Sequence, residues 1–539
     1  MSDDADVTRP IGDAPALPPV PGSHRTQERP DRRQRPEKRS LGAVLGLTAA
    51  NAVVPGTAFL ASGRRRVGAL VLVLFALLVA GGIWLATAGR RTAARLAVDS
   101  AYLNWIVAAL AVIAVAWVVV VVTGYRSLLP RHSSAPRHVV GGVLVALLVA
   151  GIAYPAYRVG TVAVAQRGLI DGLFADDRES ATVEDTPDPF GNRERINVLL
   201  LGGDGGEGRE GVRTDTVIVA SIATETGETT LFSLPRNLED LPFPPESPLA
   251  AIYPEGFESG SESESLLNSV YRNGPADHPD VLGPTDDPGA DFLKLGVGEA
   301  LGLDIDYFVL VNLDGFSRLV DALGGITVNV NYYVPINGIT GQELPDDYIA
   351  PGPDQHMDGY TALQFARGRY GLTDYDRMDR QRCTITAIID EADPMTLLDQ
   401  YQELAATTQD IVSTDIPRSA LDDFVDLAFL VKDAEIRSVV FDTSLIDPAY
   451  PDYDLMRQIV QDTFAGAGGS GGPPGSAGPA APEAPAPGTS ASGAEVPNGS
   501  PPVPVEGAAP AAEVGDACAY DPVQAQAALD QGKPPTRND

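Results

Sequence analysis

Four stretches without a charged side chain, residues 40–63, 67–89, 100–125 and 138–157, stand near the start of this 539-residue chain. A helix that crosses the hydrocarbon core of a bilayer needs about 20 apolar residues, and the last three stretches meet that need on every face. A buried core helix would be shorter and polar along one side. The first stretch is diluted by Asn51, Pro55, Gly42, Gly46 and Gly56. Segments 67–89, 102–124 and 138–158 are therefore expected to span, and 41–62 to re-enter or lie in the interface.

Arginine sets the orientation, because cytoplasmic loops carry an excess of basic residues. A basic run from Arg25 to Arg39 precedes the first stretch, Arg64, Arg65 and Arg66 close it, and Arg126, Arg131 and Arg137 precede the last. Three full spans put all three groups in the cytoplasm and everything after about residue 160 outside. Four would leave that part inside. The expected location is thus the cell membrane, multi-pass, with an extracytoplasmic C-terminal domain. Membrane lipids become partners by default.

Residues 1–40 form a polar, Pro-rich basic tail that cannot build a core. The membrane region is 41–160, followed by a linker, 161–190, and a domain, 191–464. A Pro/Ala/Gly-rich linker, 465–515, leads to a C-terminal tail, 516–539, with a short helical stretch at 522–529. The net charge of -33, from 72 acidic and 39 basic residues, excludes a nucleic-acid binder, which needs a basic face. Cys383 and Cys518 match no zinc or redox spacing; outside the cytoplasm they can pair, and the rival reading is two solvent-excluded thiols.

Within 191–464, runs at 196–201, 216–222 and 229–234 read as strands. Helical periods lie near 292–301, 315–323, 359–366 and 378–392. The mixture gives an α/β or α+β domain. Gly203, Gly205 and Gly208 imitate a dinucleotide fingerprint, but the chain passes into another strand where that mechanism needs a helix. Of five histidines only His278 and His356 lie in this domain, neither near a nucleophile elbow.

The chemistry is carried by carboxylates and arginines. Asp204 follows the first strand and Asp215 opens the second, so the two could share a hard cation such as magnesium. Each taken alone is an ordinary turn or N-cap aspartate. Pro235 ends the third strand and throws Arg236 into a loop. A helix end then delivers Arg367 and Arg369, with Asp374, Arg377, Arg380, Gln381 and Arg382 close behind. Guanidinium forks suit phosphate oxygens, and a polyanion would relieve their mutual repulsion. The alternative is a helix-end cluster balanced by Asp374, Asp376 and Asp379.

Taken together, Leu-Leu-Leu-Gly-x-Asp204, Arg213-Thr-Asp-Thr216, Ser233-Leu-Pro-Arg236, Leu267-Asn-Ser-Val-Tyr271, Asp306-Tyr-Phe-Val-Leu-Val-Asn312, Leu319-Val-Asp-Ala-Leu-Gly-Gly325 and the arginine-rich end occur in the order found in the LytR-CpsA-Psr family, which this chain resembles from about 196 to 389. The resemblance implies an α/β/α sandwich around a central mixed β-sheet, with an apolar tunnel for a prenyl chain, preceded here by the α-helical membrane region. It implies a phosphotransferase that moves a glycopolymer (teichoic acid, capsular polysaccharide or arabinogalactan) from a polyprenyl pyrophosphate carrier to a muramic acid hydroxyl of peptidoglycan. A polyprenyl pyrophosphatase without transfer, or a non-catalytic wall-associated regulator, are the other classes.

By motif matching, Asp204 and Asp215 resemble ligands of magnesium or manganese. Arg236, Arg367, Arg369 and Arg377 resemble the pyrophosphate clamp, supported by Arg213 and Gln381; Arg236, Arg367, Arg369 and Asp215 are the catalytic candidates. Either Asp215 or Asp374 could be the base. The chain departs from the family pattern at Asn237 (usually Asp), at Asp376 (often Gly), and at Arg272-Asn-Gly274, where two glycines are common. A Cys383–Cys518 bridge would pin the tail close to the arginines.

Overall fold

A computed structural model describes residues 40–129, 135–174, 179–183, 186, 189–204, 212–392, 412–467, 512–513 and 518–538. The N-terminal tail, most of the second linker and the glycines at 205 and 208 lie outside the described residues.

Three helices are long and apolar enough to cross a membrane: α3 (Arg65–Ala86), α5 (Ser100–Leu128) and α6 (Ala135–Leu173). The first apolar segment breaks into α1 (Leu41–Val53) and α2 (Thr57–Ala61). At 13 residues α1 rises only about 20 Å, too little to span. Gly56 makes the break: its φ is +105°, and an added Cβ would lie 2.6 Å from the Gly68 carbonyl. Asn51 holds the pair of helices together. Its Oδ1 accepts from the Gly56 and Ala58 amides (3.0 and 3.1 Å), and its Nδ2 donates to the Val120 carbonyl of α5 (3.1 Å). Asn51→Ala should cost about 1–2 kcal/mol, given roughly 0.6 kcal/mol per hydrogen bond within a membrane. Thermal unfolding in detergent measures it; an unchanged midpoint would mean that α1 and α2 dock by apolar contact alone.

Helix α6 corrects the expected boundary at 160. It has 39 residues, about 58 Å, roughly twice the hydrocarbon thickness. Its final turns bury Ala163 and Ile170 against protein, so part of the expected linker is helix. Between α3 and α5 lies a short helix, α4 (Arg90–Val98).

The domain beyond is a seven-stranded mixed sheet, ordered β11-β10-β3-β2-β1-β4-β9. These strands are β1 (Arg195–Gly203), β2 (Thr214–Ala223), β3 (Thr229–Leu234), β4 (Tyr307–Asn312), β9 (Val412–Thr414), β10 (Ile436–Val440) and β11 (Ala512–Glu513). Alternation along β1 splits its side chains between two layers. Leu199 and Leu201 enter the main core with residues of α8 (Leu267–Asp277), α9 (Pro288–Leu301) and α14 (Tyr453–Ala467). Ile196 and Val198 face the other side, toward α13 (Leu421–Val431) and the ends of α5 and α6. On that second face Ile218, Ala220 and Leu231 meet Ile385 of α12 (Asp374–Glu391). The result is the helix-sheet-helix sandwich expected from the family resemblance. A five-residue helix, α7 (Pro248–Ile252), caps the main core through Leu249.

A smaller core joins α10 (Leu313–Ala322), α11 (Gly359–Arg367) and α12 to two two-stranded sheets. One pairs β5 (Ile326–Val330) with β8 (Gly352–Met357); the other pairs β6 (Val334–Ile336) with β7 (Asp347–Ile349). Cys383 of α12 is disulfide-bonded to Cys518, with a Cα–Cα separation of 5.6 Å. The bond starts a C-terminal strap that includes α15 (Pro522–Gln531). Asn329 and Asn331 donate to the Cys518 and Ala519 carbonyls (3.0 and 3.1 Å), Lys533 pairs with Asp347 (2.6 Å), and Arg537 pairs with Glu343 and Asp346.

Candidate active site

The site gathers where β1 and β3 end and β2 begins. Register between β1 and β2 shifts at Gly202 and Gly203: Gly202 pairs with Thr216 but Gly203 with Thr214, which leaves Asp215 as the extra residue of a bulge. A bulge re-aims one side chain and takes its backbone out of the ladder. Both consequences are seen. The Asp215 carbonyl accepts from Arg377 Nη1 (2.6 Å), and its carboxylate Oδ1 accepts from Arg236 Nη1 (2.6 Å) and Asn268 Nδ2 (3.4 Å). Burial works to raise the Asp215 pKa, but the charges of Arg236 and Arg377 outweigh it and hold the carboxyl below the ordinary aspartate range.

Helix α12 supplies the opposite wall. Thr373 and Asp376 form a reciprocal capping box at its start: the Thr373 hydroxyl accepts from the Asp376 amide, and the Asp376 carboxylate accepts from the Thr373 amide. That explains Asp376 in place of glycine. The first turn then presents Asp374 as a hub for three arginines. Arg377 contacts it at 3.0 and 3.2 Å, Arg369 at 3.4 Å and Arg236 at 3.6 Å. Burial, helped by the charges of Arg236 and Arg377, pushes the Arg369 guanidinium pKa down against the opposing pull of Asp374 and Asp215. Gln381, one turn farther, donates to the Thr216 hydroxyl (2.8 Å) and ties α12 to β2.

Arg367 and Arg369 sit on either side of Gly368, whose added Cβ would approach the Pro335 carbonyl to 2.4 Å. Close passage of the backbone beneath β6 therefore needs glycine there. Arg367 is exposed and makes no side-chain hydrogen bond or ion pair among the described residues. It lines a cleft of about 680 Å³ with Arg369, Asn337, Thr340, Glu343 and Tyr370.

Other candidates stand apart. Arg213 turns to Glu264 (2.5 Å), which Arg272 also contacts. Asp204 Oδ1 accepts from the Arg213 amide (2.8 Å), which ties the residue after β1 to the one before β2. Arg380 and Arg382 serve the fold: Arg380 donates to the Phe365 and Gly368 carbonyls at the end of α11, and Arg382 to Ser438 of β10. Asn237 is exposed and makes no side-chain hydrogen bond among the described residues, so its departure from aspartate leaves the arginines where they are. Nothing in the sequence around Asn268 marks its side chain as part of the site beyond its place in the Leu267-to-Tyr271 motif, and its role depends on a fold that brings α8 to β2.

No group of three or more metal-binding side chains occurs among the described residues. Asp215 beside the arginines and Asp204 just after β1 offer oxygen ligands alone, the donor type that suits magnesium, which is usually bound by one or two carboxylates plus phosphate oxygens and water.

The LytR_cpsA_psr family model matches residues 173–447. The chain belongs to that family. A polyisoprenyl-teichoic acid-peptidoglycan teichoic acid transferase TagU of Enterococcus faecalis is 31% identical over 231 residues, 42% of this chain and 63% of that protein. Biofilm regulatory protein A of Streptococcus mutans is 25% identical over 240 residues, 43% and 53% of the two chains. The LytR_cpsA_psr chain described here thus spans less than two thirds of the length of either relative. A crystal structure of B. subtilis TagV covers 50% of this chain and 97% of its own, at 22% identity and a TM-score of 0.35. The matched residues of the family include the bulge, the Arg236 loop and the start of α12.

Proposed function

We propose that this protein is a multi-pass membrane transferase that moves a glycopolymer from a polyprenyl pyrophosphate to peptidoglycan outside the cell, making a phosphodiester. The observation that carries the reading is Asp374 ringed by Arg236, Arg369 and Arg377, with Asp215 opposite and Arg367 alongside. Four guanidiniums, Arg236, Arg367, Arg369 and Arg377, against two carboxylates, Asp374 and Asp215, leave an excess of positive charge, which suits a pyrophosphate.

In the reaction, the acceptor hydroxyl oxygen attacks the phosphorus bearing the polymer. The bond from that phosphorus to the bridging oxygen breaks, and prenyl monophosphate leaves with the bridging oxygen. Arg236, Arg369 and Arg377 hold the phosphate oxygens and stabilise charge on the leaving group, and Arg367 reaches in from the cleft. Such positioning and charge stabilisation dominate phosphoryl transfer. Asp204 and Asp215 would hold magnesium or manganese, which supplies further charge neutralisation when bound. Asp374 acts as the spacer that keeps the arginines apart, while Asp215 orients the acceptor hydroxyl and takes its proton.

Because Asp215 is held low, it is ionised throughout the neutral range, and any stability it contributes is present above the unfolded aspartate pKa and lost as pH falls through the lower folded value. Turnover should therefore show no acid limb from Asp215 between about pH 5 and 8, where an ordinary aspartate is already ionised. A pH-rate profile with a limb in that window, removed by Asp215→Asn, would contradict this.

The orientation has support from packing. Helices α1 and α2 pack at one end of α5, near Val120, whereas the domain packs at the other, near Leu103. Three spans then place the domain opposite the basic N-terminal end. Assaying the full chain with carrier-linked glycopolymer, with and without peptidoglycan, tests the function. Transfer predicts polymer on peptidoglycan and prenyl monophosphate in equal amounts. Equal release of polymer phosphate without acceptor would instead identify a pyrophosphatase.

A further inference from the structure

The catalytic domain does not hang from the membrane helices by a linker; it is built onto them. Leu103 of α5 and Ala163 and Ile170 of α6 share one buried cluster with Ile196 and Val198 of β1, Tyr307 of β4, and Ile416, Ala420 and Leu421 leading into α13. Phe424 of α13 stacks edge-on against Phe190 and Tyr307 at 5.1 and 5.5 Å. The outer ends of two spans thereby complete the second helical layer over the β1–β4 part of the sheet. Apolar burial of this kind is what separates a fixed domain interface from a mobile one.

Charge reinforces the seam. Helix α4, on the loop between two spans, points Arg95 at Asp426 of α13, with Nε to Oδ1 at 3.0 Å. That hydrogen bond, with the neighbouring charges of Asp422 and Asp423, raises the Arg95 pKa. Arg91 lies over the Phe429 ring at 5.7 Å. From the α6 side, Arg418 pairs with Asp171, and Gln166 donates to the Ala97 carbonyl of α4 (2.7 Å). The groups that α13 turns toward Arg95, namely Asp422, Asp423 and Asp426, are thus all acidic, which also accounts for arginines on an outer loop where the positive-inside rule disfavours them.

We infer that α4 and α13 form a latch that fixes the phosphate-binding cluster at one position relative to the bilayer, making Arg91 and Arg95 positioning residues for membrane-held substrate. The latch grips the sheet at Ile196 and Val198, whereas the site lies at the far end of β1, about 17–23 Å along the strand at 3.3 Å per residue. Over that lever a small rocking of the seam moves the arginines by several ångströms. A lipid-linked pyrophosphate is confined to the bilayer and cannot follow; a water-soluble one can.

The inference rests on the proposed transferase reading, so two measurements keep them separate. Spin labels at Val112→Cys and Tyr450→Cys, both exposed positions in α5 and in the domain, report the distance between membrane helices and domain in the full chain in nanodiscs. Wild-type protein should give one narrow distribution. Arg91→Glu/Arg95→Glu should broaden it, and adding Asp422→Lys/Asp426→Lys should restore it. Turnover of bilayer-embedded polyprenyl pyrophosphate-linked glycan should fall at least about tenfold in the double variant, with a short-prenyl soluble analogue changed by less than about twofold, as misplacement by an ångström-scale shift predicts. A distribution that stays narrow overturns the latch, whatever the activity. Broadening that lowers neither substrate, or both equally, overturns its positioning role. Absence of turnover by wild-type protein on either substrate counts against the transferase reading, while the distance distributions still decide the latch.

Discussion

Arg236→Ala should lower transfer about 10²–10³-fold while leaving the domain folded, the loss usual for removing one preorganised charge-stabilising donor. Arg236 touches the carboxylates of both acids of the site, Asp215 at 2.6 Å and Asp374 at 3.6 Å, whereas Arg377 reaches Asp215 through its backbone carbonyl. Its side chain is only partly buried, and its backbone carbonyl still accepts from the Asn268 amide (3.0 Å) after truncation, so the loop keeps its path. Arg236→Lys should recover part of the loss, because an ammonium keeps the charge but cannot span two oxygens as a fork. Single-turnover rates on carrier-linked polymer, with thermal midpoints alongside, measure both effects. Full activity in Arg236→Ala would remove this residue from the reaction.

The second large effect is on stability. Cys383→Ser/Cys518→Ser opens a loop of 135 residues, and the chain-entropy model assigns such a closure about 5 kcal/mol. For a domain of this size that is a drop of about 10–20 °C in thermal midpoint. Among the contacts that would still hold the strap are the hydrogen bonds of Asn329 and Asn331 to its first residues and the ion pairs Lys533–Asp347, Arg537–Glu343 and Arg537–Asp346, the ion pairs having both partners well exposed and being worth at most about 1 kcal/mol each. The strap from Cys518 should become protease-sensitive in the variant, and reductant should reproduce both changes in the wild-type protein. An unchanged midpoint after verified reduction would contradict the prediction.

Local patterns carried much of this fold in the sequence. The apolar runs of α3, α5 and α6 and the buried strands β1, β2 and β3 are continuous in the chain, so period and length identify them. The short edge strands β9 and β11 and the strand β10 are not, because they are extended by their partners more than by their own residues. Helix α6 past residue 160 misled for a related reason. Its polar residues read as the end of a span, whereas Ala163 and Ile170 find their apolar surroundings in the domain.

At the site, residue types were legible and directions were not. Five arginines between 367 and 382 look alike in sequence, yet the helical turn sends Arg377 to Asp374, Arg380 to the end of α11 and Arg382 to β10. The bulge that frees the Asp215 carbonyl for Arg377 arises from pairing with β1, and nothing local to Arg213-Thr-Asp-Thr216 announces it. Asp374 could be read from sequence as either a base or a balancing charge. Encircled by three arginines, it is better suited to spacing them than to taking a proton.

The most direct test of the central claim is an experimental structure of the full chain in a nanodisc with a non-hydrolysable polyprenyl pyrophosphate. The expected result is pyrophosphate density between Arg236, Arg369 and Arg377, with Arg367 turned in from the cleft and the Asp374 contacts to Arg236 and Arg369 lengthened. Density seated elsewhere, such as the acid-lined cavity beside Asp287, Asp291 and Arg418, with the three arginines still closed on Asp374, would contradict it.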